Sequence, residues 1–354
     1  MDNILYIIGA GFSAPLGLPV INNFLRASKD IYQRDPENYA HFTRIFEKID
    51  GMGKAKNYMN CNLFNIEEIL SILEMESYLT SADCSEEFTK YIADVVTYYT
   101  PPLVPSSKKE SHTGSRLIDW EMQSWYQTLF EPTQGNRLLQ SYFEFISMLF
   151  NLTFRRQEKT ATCCSTSSPP FRYGIVSLNY DLVIETITEQ INEHFSPEYQ
   201  LQVDFEPTDD DCYAQDYHLS LAKLHGSLDP LTIVPPTWNK TRKPEIQKSW
   251  KLAQQLISKA NYIRFLGCSL APSDHYLRYL LLSGILGSLN LKGIKVVCLG
   301  NDKSDVEQNY RSLFNFPGFD FRISDIKEYL QDLACPHSRY TGDEYYSGSM
   351  DHVP

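Results

Sequence analysis

A doubly wound α/β fold, with a mostly parallel sheet and a helical module inserted into it, is predicted by three observations. Short continuous apolar runs recur along the chain, helical patterns separate most of them, and one run after another ends in a glycine or small polar turn. Asn3 to Ile8 (NILYII) is the first run, and it reads as a strand buried on both faces. Tyr173 to Leu178, Leu219 to Leu224, Tyr262 to Leu266 and Ile294 to Leu299 have the same character, and Asp320 to Ser324 reads as a weaker edge. Helical patterns at Leu182 to Ile191 and Trp250 to Lys259 supply crossovers.

From Asn22 to Glu158 no strong strand signal occurs. Phe64, Ile66, Ile69, Leu70, Ile72 and Leu73 fall at helical spacing, and Leu138, Tyr142, Phe145, Ile146 and Leu149 repeat the pattern. The stretch is too long for one crossover, so residues 22–158 are expected to form an inserted helical module. A proline-rich break at Pro101 to Ser115 interrupts it, and Lys159 to Pro170 reads as a loop leading back to the sheet. The sheet domain is then expected over 1–21 and 159–335, with a polar tail over 336–354.

Composition narrows the function classes. With 42% apolar and 21% charged residues in 354, the chain is that of a folded globular protein. A formal net charge of -12 argues against a broad nucleic-acid-binding surface. No run approaches the roughly eighteen apolar residues that span a bilayer, and the start, Met1-Asp2-Asn3, lacks the basic and apolar segments of a secretory signal, so a cytoplasmic protein is expected. None of the eight cysteines forms a C-x-x-C pair, so no zinc site is expected, and Cys268 and Cys298 read as small core residues.

The chemistry is concentrated at the strand ends. Gly9-Ala10-Gly11-Phe12-Ser13 follows the first strand, where two glycines permit a tight turn and a close approach of backbone N–H groups to a phosphate. Gly17-Leu18-Pro19 adds a second turn. Ser177-Leu178-Asn179-Tyr180-Asp181 closes the second run; Asn179 and Asp181 point to a ligand crevice, or else cap the next helix, which alone is the better reading. Lys223-Leu224-His225-Gly226-Ser227 closes the third, where a lone histidine is more often structural than catalytic but Gly226 suggests a sharp turn presenting the imidazole. Gly267-Cys268-Ser269-Leu270 and Gly300-Asn301-Asp302 close the fourth and fifth. Each turn has a structural explanation by itself. Their convergence at the carboxyl ends of five buried strands makes a nucleotide crevice in a Rossmann-like sheet the leading reading.

In order, these residues resemble the sirtuin family: G-A-G-x-S at Gly9 to Ser13 with Gly17-x-Pro19, N-x-D at Asn179 and Asp181, H-G at His225-Gly226, and G-x-S-L at Gly267 to Leu270. The resemblance implies NAD+ as a substrate. It places Ala10, Gly11 and Ser13 along the pyrophosphate and nicotinamide ribose and Ser269 and Asn301 toward the adenosine half, and it counts Gly9 and Gly267 among the NAD+-binding residues. Asn179 would position the ribose or a water, Asp181 would hydrogen-bond the nicotinamide amide, and His225 would be the general base. The chain departs from the deacylases of that family. Leu178 stands where they have Gln, Val20-Ile21-Asn22 follows Pro19, and the four-cysteine zinc module that frames their acyl-lysine groove is missing. The trimmed pattern, the helical insertion and the N-Y-D motif are similar to sirtuin-like NAD+ hydrolases of bacterial anti-phage systems, including those that work beside a HerA-like ATPase. The resemblance therefore implies an NAD+ glycohydrolase that assembles into a homo-oligomer. A protein deacylase or ADP-ribosyltransferase, and a non-catalytic NAD or ADP-ribose sensor, remain the alternatives.

Overall fold

The apolar runs become parallel strands, each covered on both faces. The computed structural model describes residues 1–55, 65–80, 85–104, 125–133, 135–157, 160–166, 169–195, 198–206, 211–213, 216–234, 244–271, 274–288, 290–299 and 303–338. In chain order its strands are β1 (Asp2–Ile8), β2 (Leu152–Gln157), β3 (Thr160–Ser165), β4 (Phe171–Ser177), β5 (Gln202–Asp204), β6 (His218–Lys223), β7 (Gly226–Ser227), β8 (Thr232–Ile233), β9 (Tyr262–Leu266), β10 (Gly293–Cys298) and β11 (Phe319–Ile323). Among its helices are α1 (Ala10–Ser13), α2 (Phe24–Arg34), α3 (Phe42–Ala55), α4 (Ile66–Thr80), α5 (Ser85–Tyr99), α6 (Arg137–Leu149), α7 (Val183–His194), α8 (Pro244–Lys259), α9 (His275–Leu286), α10 (Lys303–Leu313) and α11 (Ile326–Ser338).

Seven strands form one sheet in the order β11-β10-β9-β1-β4-β6-β5, and every pairing in it is parallel. The chain runs outward from β1 through β4 to β6, with β5 at the edge, and then returns to β9 on the other side of β1. The strand order therefore reverses between β1 and β9. Such a reversal opens a crevice at the carboxyl ends of the strands, where ligands of doubly wound folds bind.

Alternation along β1 shows why its run is wholly apolar. Ile4, Tyr6 and Ile8 enter one core with α6, α7 and α11, while Leu5 and Ile7 enter another with α8, α9 and α10. A third core lies within α2 to α5, built on Phe24, Leu25, Ile31, Phe42, Ile45, Ile69, Leu73, Tyr91 and Val95. On α4 the helical spacing sends Ile66, Ile69, Leu70 and Leu73 inward, while Ile72 is exposed.

The predicted strands agree with those observed to within two residues at each end. Three differences remain. The stretch expected as one module is divided in its packing: α2 to α5 share their own core, but Tyr142, Phe143, Phe145 and Ile146 of α6 pack under the sheet. Residues read as a loop after Lys159 contain β3, which pairs antiparallel with β2, itself inside the stretch without a strand signal. Its inward residues, Ala161 and Cys163, are small, so the alternation was hidden in a polar-looking run. The short edge strand β5 was also missed. Pro101 to Val104 lies within the described residues, but the rest of the proline-rich break and Phe64 lie outside them; of the expected tail, residues 336–338 continue the helix α11, and 339–354 lie outside.

Candidate functional site

Because the strands are parallel, the turns after β1, β4, β6 and β9 gather at one end of the sheet. The turns after β1 and β9 flank the reversal of strand order and cross each other there. The Gly9 N–H donates to the Leu266 carbonyl (3.0 Å), and the Gly11 N–H donates to the Gly267 carbonyl (2.9 Å). A side chain has no room at this crossing: a Cβ on Gly11 would lie 2.7 Å from Gly267 Cα, and one on Gly267 would lie 2.3 Å from the Phe12 nitrogen. Gly267 also has a φ of +63°, in the left-handed region. The glycines thus have a demonstrable reason that the sequence could not reveal. The N–H groups of Gly9 and Gly11, expected to approach a phosphate, are committed to the neighbouring turn. Below the crossing, Phe12 is buried and its carbonyl accepts from the Tyr142 hydroxyl of α6.

Asn179 joins this crossing to the turn after β4. Its side-chain amide donates to the Gly9 carbonyl (3.0 Å) and to Ser13 Oγ (3.2 Å), and its backbone N–H donates to Ser177 Oγ (3.1 Å). Asn179, Asp181, Ser13 and His225 are all buried. Asp181 accepts from the Val183 N–H (3.2 Å) at the start of α7 from the position before the N-cap, which is Leu182 and makes no side-chain cap bond, so neither Asn179 nor Asp181 is the N-cap weighed from the sequence.

The turn after β4 is bound, carbonyl by carbonyl, to the segment after β6. Ser177 accepts from the Leu224 N–H (2.9 Å), Leu178 from His225 Nδ1 (3.0 Å), Tyr180 from the Leu228 N–H (3.1 Å) and Asp181 from Lys223 Nζ (2.6 Å). A carbonyl can only accept, so Nδ1 of His225 carries a proton, and it is Nε2 that bears the lone pair whenever the ring is neutral. Gly226 supplies the bend that follows: its φ is +91°, and a Cβ there would lie 1.6 Å from the Thr232 carbonyl oxygen. The segment then folds back as the β7–β8 hairpin.

Lys223 is a cation at the end of an apolar strand. Its ammonium also contacts Glu185 Oε1 (2.8 Å), and both side chains are largely buried. Burial pushes the Glu185 carboxyl up, against the pull of the Lys223 ammonium. Beside His225 lies Tyr180, ring centroids 6.1 Å apart. Burial raises the Tyr180 phenol, reinforced by the carboxylates of Glu67 and Asp274. Tyr180, Leu228 and Ile233 pack into the core of α2 to α5, so the helical module closes over this corner of the site.

The structure thus brings Gly9, Ala10, Gly11, Ser13, Asn179, Asp181, His225 and Gly267 to one end of the sheet. Ser269 is exposed on the turn after β9, where its carbonyl accepts from Asn309 Nδ2 (3.4 Å). Asn301 lies outside the described residues. Cys268 and Cys298 are buried core thiols, pushed up to about 11 by burial. Sequence reasoning passed over Lys223, Glu185, Tyr180 and Tyr142. A lysine inside the run Leu219 to Leu224 was the one available signal, since a buried charge requires partners. Among the described residues no cluster of three His, Cys, Asp or Glu could hold a metal ion. No helix among them is long and apolar enough to cross a membrane. A cavity of about 550 Å³ at the opposite end of the sheet is lined by Asp2, Asn3, Arg172, Asp211, Lys259 and Asn261. There the Arg172 guanidinium bonds to Asn3 and Asp211, and Asn3 bonds to the Lys259 carbonyl.

No protein-family model matches the chain, and no curated protein matches it. Several solved structures are similar, two of them sirtuin complexes. One is Sir2 in complex with the inhibitor EX-527, 2'-O-acetyl-ADP-ribose and a deacetylated p53 peptide, at 12% identity and a TM-score of 0.33, covering 94% of this chain and 93% of that one. The other is Sir2Tm bound to a propionylated peptide, at 11% identity and a TM-score of 0.31, covering 94% of this chain and 92% of that one.

Proposed function

We propose that this protein hydrolyses NAD+ to nicotinamide and ADP-ribose at the turns where the strand order reverses. The observation that carries the reading is the bond from His225 Nδ1 to the Leu178 carbonyl, which fixes the tautomer so that the neutral form of the ring presents its lone pair on Nε2. The Leu178 carbonyl that holds His225 immediately precedes Asn179, whose amide is already oriented by Gly9 and Ser13. Cleavage of the nicotinamide–ribose bond leaves positive charge on the ribose, while the bonding pair departs with nicotinamide and neutralises its ring. Little acid catalysis is needed. One water must be held and deprotonated: its oxygen bonds to the anomeric carbon, and its proton passes to His225 and on to solvent. In this reading Asn179 orients the ribose or the water, and Asp181 meets the nicotinamide amide.

Incubation of the purified protein with NAD+ and chromatography of the products tests it. Free ADP-ribose without any acceptor supports hydrolysis. A requirement for an acyl-lysine or another acceptor, or NAD+ left intact by the assembled protein, overturns it. The resemblance in residue pattern supports three further readings: a cytoplasmic role in anti-phage defence through NAD+ depletion, a homo-oligomeric state, and a HerA-like ATPase partner. Cellular NAD+ during phage challenge, mass in solution and the product of the adjacent gene test these in turn.

A further inference from the structure

We infer that Lys223 and Glu185 form a positioning pair for the reaction, holding the Asn179–Asp181 turn in register with His225. The inference rests on the reading that this site hydrolyses NAD+. Of the bonds joining the turn after β4 to the segment after β6, two come from backbone N–H groups and one from His225 itself. To these is added the 2.6 Å contact from Lys223 Nζ to the Asp181 carbonyl, a bond made by an ammonium group. Lys223 is 4% exposed, and its ammonium is balanced by Glu185 at 2.8 Å, in the first turn of α7. Lys223 lies two residues before His225, and Glu185 four residues after Asp181. The pair therefore ties the end of β6 to both the N-Y-D turn and the helix that follows it.

A buried ion pair is a weak source of stability, because desolvation of two charges cancels much of their attraction. An apolar pair of similar volume would serve a purely structural role equally well. What an apolar pair cannot do is grip a particular carbonyl oxygen. Lys223 bonds the backbone carbonyl of Asp181, so it acts through the turn that carries Asp181 and Asn179.

Two variants test the pair, Lys223→Met and the double variant Lys223→Met/Glu185→Leu, which removes both charges and retains folding should the single variant leave Glu185 buried and uncompensated. Melting temperature, kcat and KM for NAD+, and hydrogen exchange of a peptide spanning 177–183 are measured at a temperature where each variant is folded. For the double variant the expected result is a melting temperature near that of the parent, kcat reduced about a hundredfold with KM changed less than about threefold, and lost protection confined to that peptide. Unchanged kcat and unchanged protection in the folded double variant overturn the inference. So does activity that falls only in step with the folded fraction. If the parent protein itself leaves NAD+ intact, the hydrolase reading fails, and the exchange measurement still decides whether the pair holds the turn.

Discussion

The amide of Gly11 donates to the carbonyl of Gly267 over 2.9 Å, so two turns separated by most of the chain are in direct backbone contact where the strand order reverses. The crossing sets the floor of the site, because Asn179 is anchored on the Gly9 carbonyl within it. Gly267→Ala places a methyl group 2.3 Å from the Phe12 nitrogen and forces alanine into a left-handed conformation. The backbone must shift, and a loss of at least about 2 kcal/mol is expected. Urea denaturation reads this as a lower midpoint with an unchanged slope; a change below about 0.5 kcal/mol shows that the turns do not need their contact.

The proposed mechanism gives His225 and Asn179 different roles. His225→Ala removes the proposed base and is expected to lower kcat by about a hundred- to ten-thousand-fold, while melting stays close to that of the parent. Asn179→Asp keeps the shape but loses the amide donors to Gly9 and Ser13, and it places a carboxylate against the Gly9 carbonyl. That variant should lose both activity and stability. Retained NAD+ turnover in His225→Ala, in a preparation shown to be folded, removes His225 from the mechanism.

The strands and the site residues were legible in the sequence to different depths. β1, β4, β6, β9 and β10 could be read because a strand covered on both faces needs apolar side chains in both directions, as Leu5 and Tyr6 illustrate. Positions at strand ends followed from parallel order alone. Contacts across the chain did not. Nothing local ties Gly11 to Gly267, and the glycines read equally well as a phosphate turn. The amphipathic pattern of α6 showed that one face is apolar, but not that this face lies under the sheet and apart from α2 to α5. Lys223 carried a signal, a charge in an apolar run, yet its partners Asp181 and Glu185 are nearly forty residues or more away.

Glu144, on α6, makes stability depend on pH. Its Oε1 accepts from Gln140 Nε2 (3.0 Å), its Oε2 is buried without a partner, and burial pushes the carboxyl up to about 7. A carboxyl with a raised folded-state pKa binds its proton more tightly when folded than when unfolded. The stability it contributes is therefore present at low pH and declines as pH rises from about 4.5 to about 7, by at most about 3 kcal/mol. Denaturation midpoints across that window should fall in the parent protein, against the usual trend of carboxylates. Glu144→Gln should be the more stable form at pH 8, and its curve should lack this decline. Parallel curves for the two proteins refute the assignment.

Ile233 ties the helical module to the corner that holds His225 and Tyr180. It is 2% exposed and enters the core of α2 to α5 together with Tyr180 and Leu228, although it belongs to the hairpin that follows His225. The same hairpin returns the Val234 N–H to the His225 carbonyl over 2.8 Å, so a cavity at position 233 lies one residue from a bond that fixes the histidine backbone. Ile233→Ala is expected to cost about 2–4 kcal/mol and to loosen the module before the sheet, since the larger cores on the two sheet faces do not include this side chain. Limited proteolysis should then cut first within residues 24–99, and kcat should fall with the docking of that module even where the sheet remains folded. Cleavage that begins in the sheet strands, or full activity with the module cut away, would show that the module does not hold this corner of the site.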